Sequence, residues 1–314
     1  MKKLCATGII GVLSFVITNC GTSSIQCDRA CLEGMADQYL EAMVAHDASM
    51  GPFDENVIFT ENTIKLPFTE GLWFTSSGLG DFNINICDLR EGQVAWVGSV
   101  KEHDKPVILS LRLKVVNRRI TEAESIVIRD VDEKNLENFR ITAPAFSEIL
   151  DPSERTPREK MLQIPELYFD ALKILNDRDV PFDDECYRLE NGMLTAGTFP
   201  GAPPPSPNMP GSPKCRNGEI PPILKTIYNV TPRRTPVVDE EKGITWGIYC
   251  FNHRGLASVE MPDGSIQPTY FQSPNSMPVS EIFRSKNGTI RGIWGLGSAM
   301  PYGIGDGWSG PVFP

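Results

Sequence analysis

The chain has 314 residues, of which 40% are apolar and 22% charged, and it carries a formal net charge of −10. A chain of this length is expected to form about two domains, and its apolar content suits packed cores rather than disorder. The excess of carboxylates argues against nucleic acid as a partner, because such binding needs clustered Lys and Arg to neutralise phosphates.

At the N-terminus, Lys2 and Lys3 precede the apolar run "LCATGIIGVLSFVI". It is shorter than the roughly 20 residues of a membrane span and has the layout of a signal peptide. It ends in "VITNCGTSS", which resembles a bacterial lipobox with Asn19 where Gly or Ala is usual. Residues 1–20 are therefore read as a signal peptide with Cys20 as the lipidated residue, and simple secretion is the alternative. A lipid on Cys20 would limit membrane contact to an anchor. The expected location is the periplasm or the outer membrane, where disulfides persist.

Six further cysteines follow: Cys27, Cys31, Cys87, Cys186, Cys215 and Cys250. Cys186 and Cys215 flank the Pro/Gly-rich excursion "TFPGAPPPSPNMPGSPK", and a bridge between them would close that loop. Cys27 or Cys31 is expected to reach Cys87. The cysteine spacings do not match zinc sites, and no metal is expected.

Leu32, Met35, Ala36, Tyr39, Leu40, Met43 and Val44 recur at three and four, which predicts a helix. Leu162, Leu167, Phe169, Leu172 and Leu175 predict a second, with its regular part beginning at Pro165, where proline is tolerated at a helix start. Both helices run into "PFD", a turn signal. The stretch "YLEAMVAHDASMGPFDENVIFTEN" (39–62) and its echo "YFDALKILNDRDVPFDDECYRLEN" (168–191) align without a gap at an offset of 129. Strand-like runs follow each copy: "GQVAWVGSV", "PVILSLRLKVV" and "RITEAESIVIRD", then "GITWGIYCF", "SEIFRS" and "TIRGIWGLG". "KNGT" is a strong hairpin signal and "VNRR" a weaker one in the matching place. Each unit therefore reads as α+β, an N-terminal helix on a curved antiparallel sheet. Residues 27–130 form the first domain, 131–157 a polar linker with one short helix, and 158–297 the second domain. The Gly-rich aromatic tail, 298–314, is expected to lie against the body over a pocket mouth.

A helix followed by a strongly bent sheet, in units of this size, resembles the NTF2-like (SnoaL-like) superfamily. "CDRACLEGMADQYL", "FTEN", "PFDDECYRLENG", "RRTPVVDEEKGIT" and "VSEIFRSKNGTIR" together resemble the exported family of unknown function DUF8021 across most of residues 27–295. Departures from that pattern are Phe182 for Trp, Asn191 for Gly, and Glu281 where the family has a His. The superfamily resemblance implies two tandem domains, each with a cone-shaped cavity between helix and concave sheet. Superfamily members include cofactor-free isomerases, dehydratases, cyclases and lyases, and also binding modules, so fold does not settle function.

If "VVNRRI" turns at Asn117-Arg118, Glu122 and Glu124 share a face with Leu111, Leu113 and Val115. Burial there would raise a carboxyl pKa toward that of a general acid or base. A slip by one would set both beside Arg112 and Lys114 as cross-strand ion pairs. His46 ends the first helix, where it either complements the helix dipole or faces the cavity as a proton shuttle. Tyr39 and Tyr168 occupy matching positions, as core residues or cavity donors. The pairs Glu61-Asn62 and Glu190-Asn191 are expected to fix a turn. Arg188, Arg233, Arg284 and Arg291 form a cationic set, either holding a carboxylate or phenolate or paired at the surface. His253 is expected on a surface loop. Nucleotide-binding loops, G-x-S-x-G and zincin motifs are absent from the sequence, so no cofactor is expected.

The resulting expectation is an exported, cofactor-independent lyase or isomerase acting on a small, ring-containing, largely apolar ligand. Glu122 or Glu124 would be the base, with Tyr39 or His46 as partner. The alternative is a non-catalytic ligand-binding or scaffold lipoprotein.

Overall fold

The structure is a computed structural model that describes residues 27–203 and 212–310. The segment read above as a signal peptide, Cys20 and the last residues of the tail lie outside the described residues. The first unit contains α1 (Arg29–Ala45), β1 (Phe53–Glu61), β2 (Ile64–Leu66), α2 (Leu72–Thr75), β3 (Ser76–Asp88), β4 (Gln93–Glu102), β5 (Lys105–Val116) and β6 (Arg119–Ile128). After α3 (Glu133–Ser147), the second unit contains α4 (Arg158–Ile174), β7 (Phe182–Glu190), β8 (Met193–Ala196), β9 (Ile227–Asp239) and β10 (Ile244–His253). A small hairpin, β11 (Ser258–Glu260) with β12 (Ile266–Pro268), precedes β13 (Asn275–Lys286) and β14 (Thr289–Gly297).

The two six-stranded sheets share one topology, β2-β1-β6-β5-β4-β3 and β8-β7-β14-β13-β10-β9. This mixed α+β arrangement is consistent with two tandem domains. The sheets are not wholly antiparallel as expected, because β1 pairs in parallel with β6, and β7 with β14. The first strand of each unit already carries a short hairpin partner on its outer edge. The last strand of the meander closes on its remaining edge.

The repeated Asn holds that junction. Asn62 and Asn191 both have φ of 48°, a left-handed conformation that Asn tolerates. The Asn62 side chain accepts from the Val127 N–H at 2.8 Å, and Asn191 accepts from the Gly297 N–H at 3.0 Å. Each Asn thereby ties the first hairpin to the last strand, the turn-fixing role its repetition implies.

α1 begins at Asp28, whose carboxylate accepts from the Cys31 N–H at 2.9 Å, a standard helix cap. Its apolar stripe, including Leu32, Met35, Tyr39, Leu40 and Met43, is buried against Val94, Leu109, Leu111 and Leu113 of the first sheet. α4 starts at Arg158 and carries Pro165 in its interior rather than at its start. Met161, in the turns before that proline, is buried in the second unit, so packing extends the helix past the local proline signal.

The opposite faces of the two sheets pack on each other, giving the layers α1, sheet, sheet, α4. Ile84, Ala95, Val97, Ile108 and Ile126 meet Trp246, Ile248, Ile282, Trp294 and Leu296 in a shared core. The segment expected as a linker enters this core, because α3 is 15 residues long and buries Leu136, Phe139 and Phe146 there. The rings of Phe139 and Phe146 lie 4.8 and 4.4 Å from that of Trp294.

The units also exchange arms. Asp88, at the end of β3, accepts from the Val238 N–H of the second unit at 3.0 Å and receives both amino groups of Arg158, at 3.1 and 2.7 Å. Asp239, at the end of β9, accepts from the Cys87 N–H of the first unit at 2.9 Å and receives both amino groups of Arg29, at 2.9 and 2.7 Å. Arg29 and Arg158 each open the first helix of their unit and are separated by the 129-residue period of the repeat. Both aspartates are completely buried. The contact is therefore approximately two-fold, with each unit presenting the same surface to the other, as in an isologous dimer.

Candidate functional site

The concave faces of the two sheets, beneath α1 and α4, differ in what fills them. In the first unit α2 inserts Trp73, whose indole N–H donates to the Tyr39 hydroxyl at 2.7 Å. Tyr39 and Trp73 are each 1% exposed, and Phe53 and Phe68 pack against the indole at 5.6 and 4.8 Å. Tyr39 is thus a core residue bonded to a neighbour. His46 caps α1 in the left-handed conformation, with its ring exposed and its Nδ1 2.6 Å from the Trp73 carbonyl. It does not face an interior cavity, and its place at the helix terminus is the one the dipole reading implies.

In the second unit the matching stretch holds no indole under the helix. A roof runs there from Ser212 to the one-turn helix Pro222–Thr226, and a cavity of about 320 Å³ remains beneath it. Tyr168 and Leu172 of α4, Phe182 and Arg188 of β7, Thr195 of β8 and Ile293 of β14 form its walls, and Cys215, Ile220 and Leu224 its roof. The roof is clamped twice. The expected disulfide Cys186–Cys215 is present, with Cα atoms 5.8 Å apart. Asp177 also accepts from the backbone N–H groups of Asn217 and Gly218, at 2.8 and 2.7 Å.

Two polar groups of the wall are joined. Arg188 donates to the Tyr168 hydroxyl at 2.7 Å and to Thr195 at 2.9 Å, and it pairs with Glu190 at 3.1 Å. Burial opposes the Arg188 charge, but Glu190 and Tyr168 outweigh it and hold its pKa above the ordinary value. Burial pushes the Tyr168 phenol up, so it keeps its proton.

On the same face of the sheet, Glu281 of β13 lies between Gly247 of β10 and Gly295 of β14, neither of which offers a side chain to cover it. It is 3% exposed, and its Oε2 has no hydrogen-bond partner among the described residues. Burial pushes its pKa up to about 8, with Arg188 opposing the rise and Glu190 adding to it. A carboxyl neutral at pH 7 and able to release its proton just above suits acid–base chemistry. The sequence marked this position only as a departure from a family pattern. Its charge state depends on which face β13 turns to α4, which only the register sets.

Glu122 and Glu124 do not lie on the apolar face under α1. The turn does comprise Asn117 and Arg118, with φ of 51° and 60°. A bulge follows it, since Val115 pairs with Ile120 but Lys114 pairs with Glu122. The extra residue, Thr121, shifts the alternation and turns both carboxylates to the side of Arg112 and Lys114. Glu124 is 2% exposed there, with Arg112 at 2.7 Å and Arg234 of the second unit on its other oxygen. Arg112 also holds Glu122 at 2.8 Å and Gln93 at 2.7 Å, under the Trp308 ring at 5.0 Å. Arg234 in turn pairs with the buried Asp306, which accepts from the N–H groups of Trp308 and Ser309. The C-terminal tail therefore covers this charged knot between the units rather than a pocket mouth. Arginines engage both glutamates.

The remaining candidates disperse. Arg233 lies across Phe169 and pairs with Glu166 and Asp170 of α4, at 2.8 and 3.0 Å, in a more open groove of about 430 Å³. Arg284 pairs with Glu148 at 2.7 Å, and it alternates with Phe283, which faces α4, so it points to the inter-sheet side. Arg291 pairs with Asp183 at 3.2 Å. Of the four arginines only Arg188 joins Tyr168 in the cavity wall. His253 is the last residue of β10 rather than a surface residue. It is 1% exposed, against Phe271 and Asn275, and burial lowers its pKa to about 4. Cys27 bridges to Cys31 rather than to Cys87, because the two lie four residues apart across the start of α1, with Cα atoms 5.2 Å apart. Cys87 and Cys250 are buried thiols, and burial pushes both up to about 12. No cluster of potential metal ligands occurs among the described residues.

No curated protein and no solved structure matches the chain. One family match is found, to the domain of unknown function DUF8021, and it spans residues 154–295. The region of this chain similar to DUF8021 is thus the second unit, from just before α4 into β14, including the cavity, Arg188 and Glu281.

Proposed function

We propose that the second unit binds a small, largely apolar, ring-containing molecule in the cavity beneath α4. There it catalyses a cofactor-independent proton transfer, as a lyase or isomerase. The observation that carries this reading is that one face of the second sheet brings together, under α4, an apolar cavity walled by the hydrogen-bonded Tyr168–Arg188 pair and, outside its lining, a buried carboxyl, Glu281, whose Oε2 has no hydrogen-bond partner among the described residues. Glu281 rather than Glu122 or Glu124 is then the titrating group, and Tyr168 and Arg188 polarise the ligand oxygen.

Both units are read as NTF2-like. The common sheet order and the long helix over each concave face support this. On this reading the first unit is a filled homologue whose role is to cover the outer face of the second sheet. Export, with or without a lipid on Cys20, belongs to the same reading, and the two disulfides support an oxidising compartment.

The test is a thermal-shift screen of the purified protein against small cyclic carbonyl compounds and acids. Stabilising compounds are then incubated in D₂O with the wild-type protein and with Glu281→Gln. Wild type should exchange a ligand C–H for deuterium or convert the ligand, and the variant should not. Equal exchange by both proteins would exclude Glu281 as the group that exchanges the proton.

A second reading, a non-catalytic binding protein, is favoured by one observation. Glu281 lies on the cavity's face of the sheet but is not among the residues that line it. Ligands that stabilise both proteins equally and are never converted would select this reading.

A further inference from the structure

We infer that the cavity is a proton-coupled carboxylate site: it takes a small monocarboxylate, with the carboxylate against Arg188 and Tyr168 and the apolar body under the roof, while Glu281 carries a proton. The inference rests on the cavity reading proposed above and narrows its ligand class.

The argument begins with Arg188. Its guanidinium carries five N–H groups in a planar fork. Nε serves Thr195 and one amino group serves Tyr168, while the second amino group faces Glu190. Glu190 is the weakest of these partners, because its side chain is 48% exposed and water can hydrate it once released. A ligand carboxylate can therefore replace Glu190 on the same fork without stranding a buried charge. The Tyr168 oxygen accepts from Arg188, which leaves its own O–H to donate to the second ligand oxygen. An amide or alcohol of the same shape offers at most one acceptor to this pair and no charge to the guanidinium. Leu172, Phe182, Ile220, Leu224 and Ile293 offer an apolar wall to the rest of the ligand, while Asp177 and Asn217, which also line the cavity, are tied to each other through the Asn217 N–H.

Glu281 supplies the coupling. The groups that act on it or feel it are Arg188 and Glu190 of β7, Tyr168 of α4 and Tyr249 of β10, while its neighbours on β10 and β14 are glycines. Arg188 is the single cation in that set. When Glu281 is neutral, only the half-exposed Glu190 has to yield the fork to a ligand. When Glu281 ionises, a second buried anion competes for the same guanidinium and repels the entering carboxylate. Its pKa of about 8 places the change at mildly alkaline pH.

The experiment is calorimetric titration of the full-length protein with 4-phenylbutyrate and with the uncharged 4-phenylbutanamide, between pH 6 and 9.5. The carboxylate should bind at least tenfold more tightly than the amide at pH 6.5. Its affinity should fall by up to about tenfold per pH unit above pH 8, the limit for release of one proton. In Glu281→Gln the carboxylate should still bind and the alkaline fall should vanish. In Arg188→Gln the preference for carboxylate over amide should vanish. Equal binding of the two probes to the wild-type protein, no binding of either, or an unchanged alkaline fall in Glu281→Gln would overturn the inference. Both probes are read by binding alone, so loss of this inference leaves the deuterium-exchange test of catalysis intact, and the reverse also holds.

Discussion

Replacing Glu281 with Gln should stabilise the protein, and by an amount that depends on pH. The unfolded chain releases this proton near 4.5, whereas the folded protein holds it until about 8. Between those values the folded state binds more protons, so stability falls as pH rises through the window, and the loss is complete above the folded value. At about 1.4 kcal/mol per pH unit, the cumulative loss is about 5 kcal/mol. The group is 3% exposed, so solvent screening does not dilute this figure appreciably. Gln has nearly the same shape and no charge, and removes this term. The stability difference between Glu281→Gln and wild type should therefore be smallest near pH 4.5, rise steadily, and level off above pH 8. Urea unfolding of both proteins at intervals from pH 5 to 9 measures that difference directly, and other titrations cancel in the subtraction. A difference that does not change with pH would refute the reasoning, because the carboxyl would then be equally ionised in both states. A variant that gains stability while losing deuterium exchange would mark Glu281 as a group kept for function at a cost in stability.

Four further outcomes follow from the same structure. Peptide mapping should recover Cys186–Cys215 and Cys27–Cys31 as linked pairs, and Cys87 and Cys250 should react with iodoacetamide only after denaturation. Cys186→Ser should cost about 3–4 kcal/mol in the chain-entropy picture for its 29-residue separation, read by urea unfolding. Asp239→Ala leaves Arg29 without its bidentate partner and the buried Cys87 N–H without an acceptor. It should cost about 3–5 kcal/mol, against less than about 1 kcal/mol for Arg90→Ala at an exposed pair; similar costs for the two would show that the inter-unit exchange is weak. Trp73→Ala should cost about 3–5 kcal/mol by opening the filled hollow of the first unit, yet leave 4-phenylbutyrate binding unchanged; altered binding would place the ligand in the wrong unit.

Much of the scaffold is local and therefore legible along the chain. The 129-residue offset of the two copies reports two units, and the apolar spacing of 32–43 reports α1, because a helix face is a matter of sequence interval. The Asn repeated at 62 and 191 reports a turn for a similar reason, since few other residues tolerate positive φ. The Cys186–Cys215 bridge could be inferred because the two cysteines flank a Pro/Gly-rich excursion whose sequence has no hydrophobic period. Pairing at short range was less accessible. Cys27 and Cys31 look equally able to reach a distant partner until the helix cap brings them together.

The chemistry was decided elsewhere. One extra residue at Thr121 moved Glu122 and Glu124 from one side of the sheet to the other, since strand alternation has a period of two and any bulge inverts it. The surface they joined is buried only because a second sheet and the C-terminal tail cover it, so the same residues are neither a cavity base nor a solvated pair. α3 reads as polar linker in isolation and becomes core because two sheets leave a place for Phe139 and Phe146. The two hollows carry related helices and strands. Whether each is filled or open depends on Trp73 in one and on the disulfide-clamped roof in the other. Composition and periodicity thus determined the units, their helices and their turns, which depend on neighbours in sequence. Register and the packing of one unit on the other decided which buried carboxyls met an arginine and which, Glu281, did not, because desolvation and pairing are set by what arrives from distant parts of the chain.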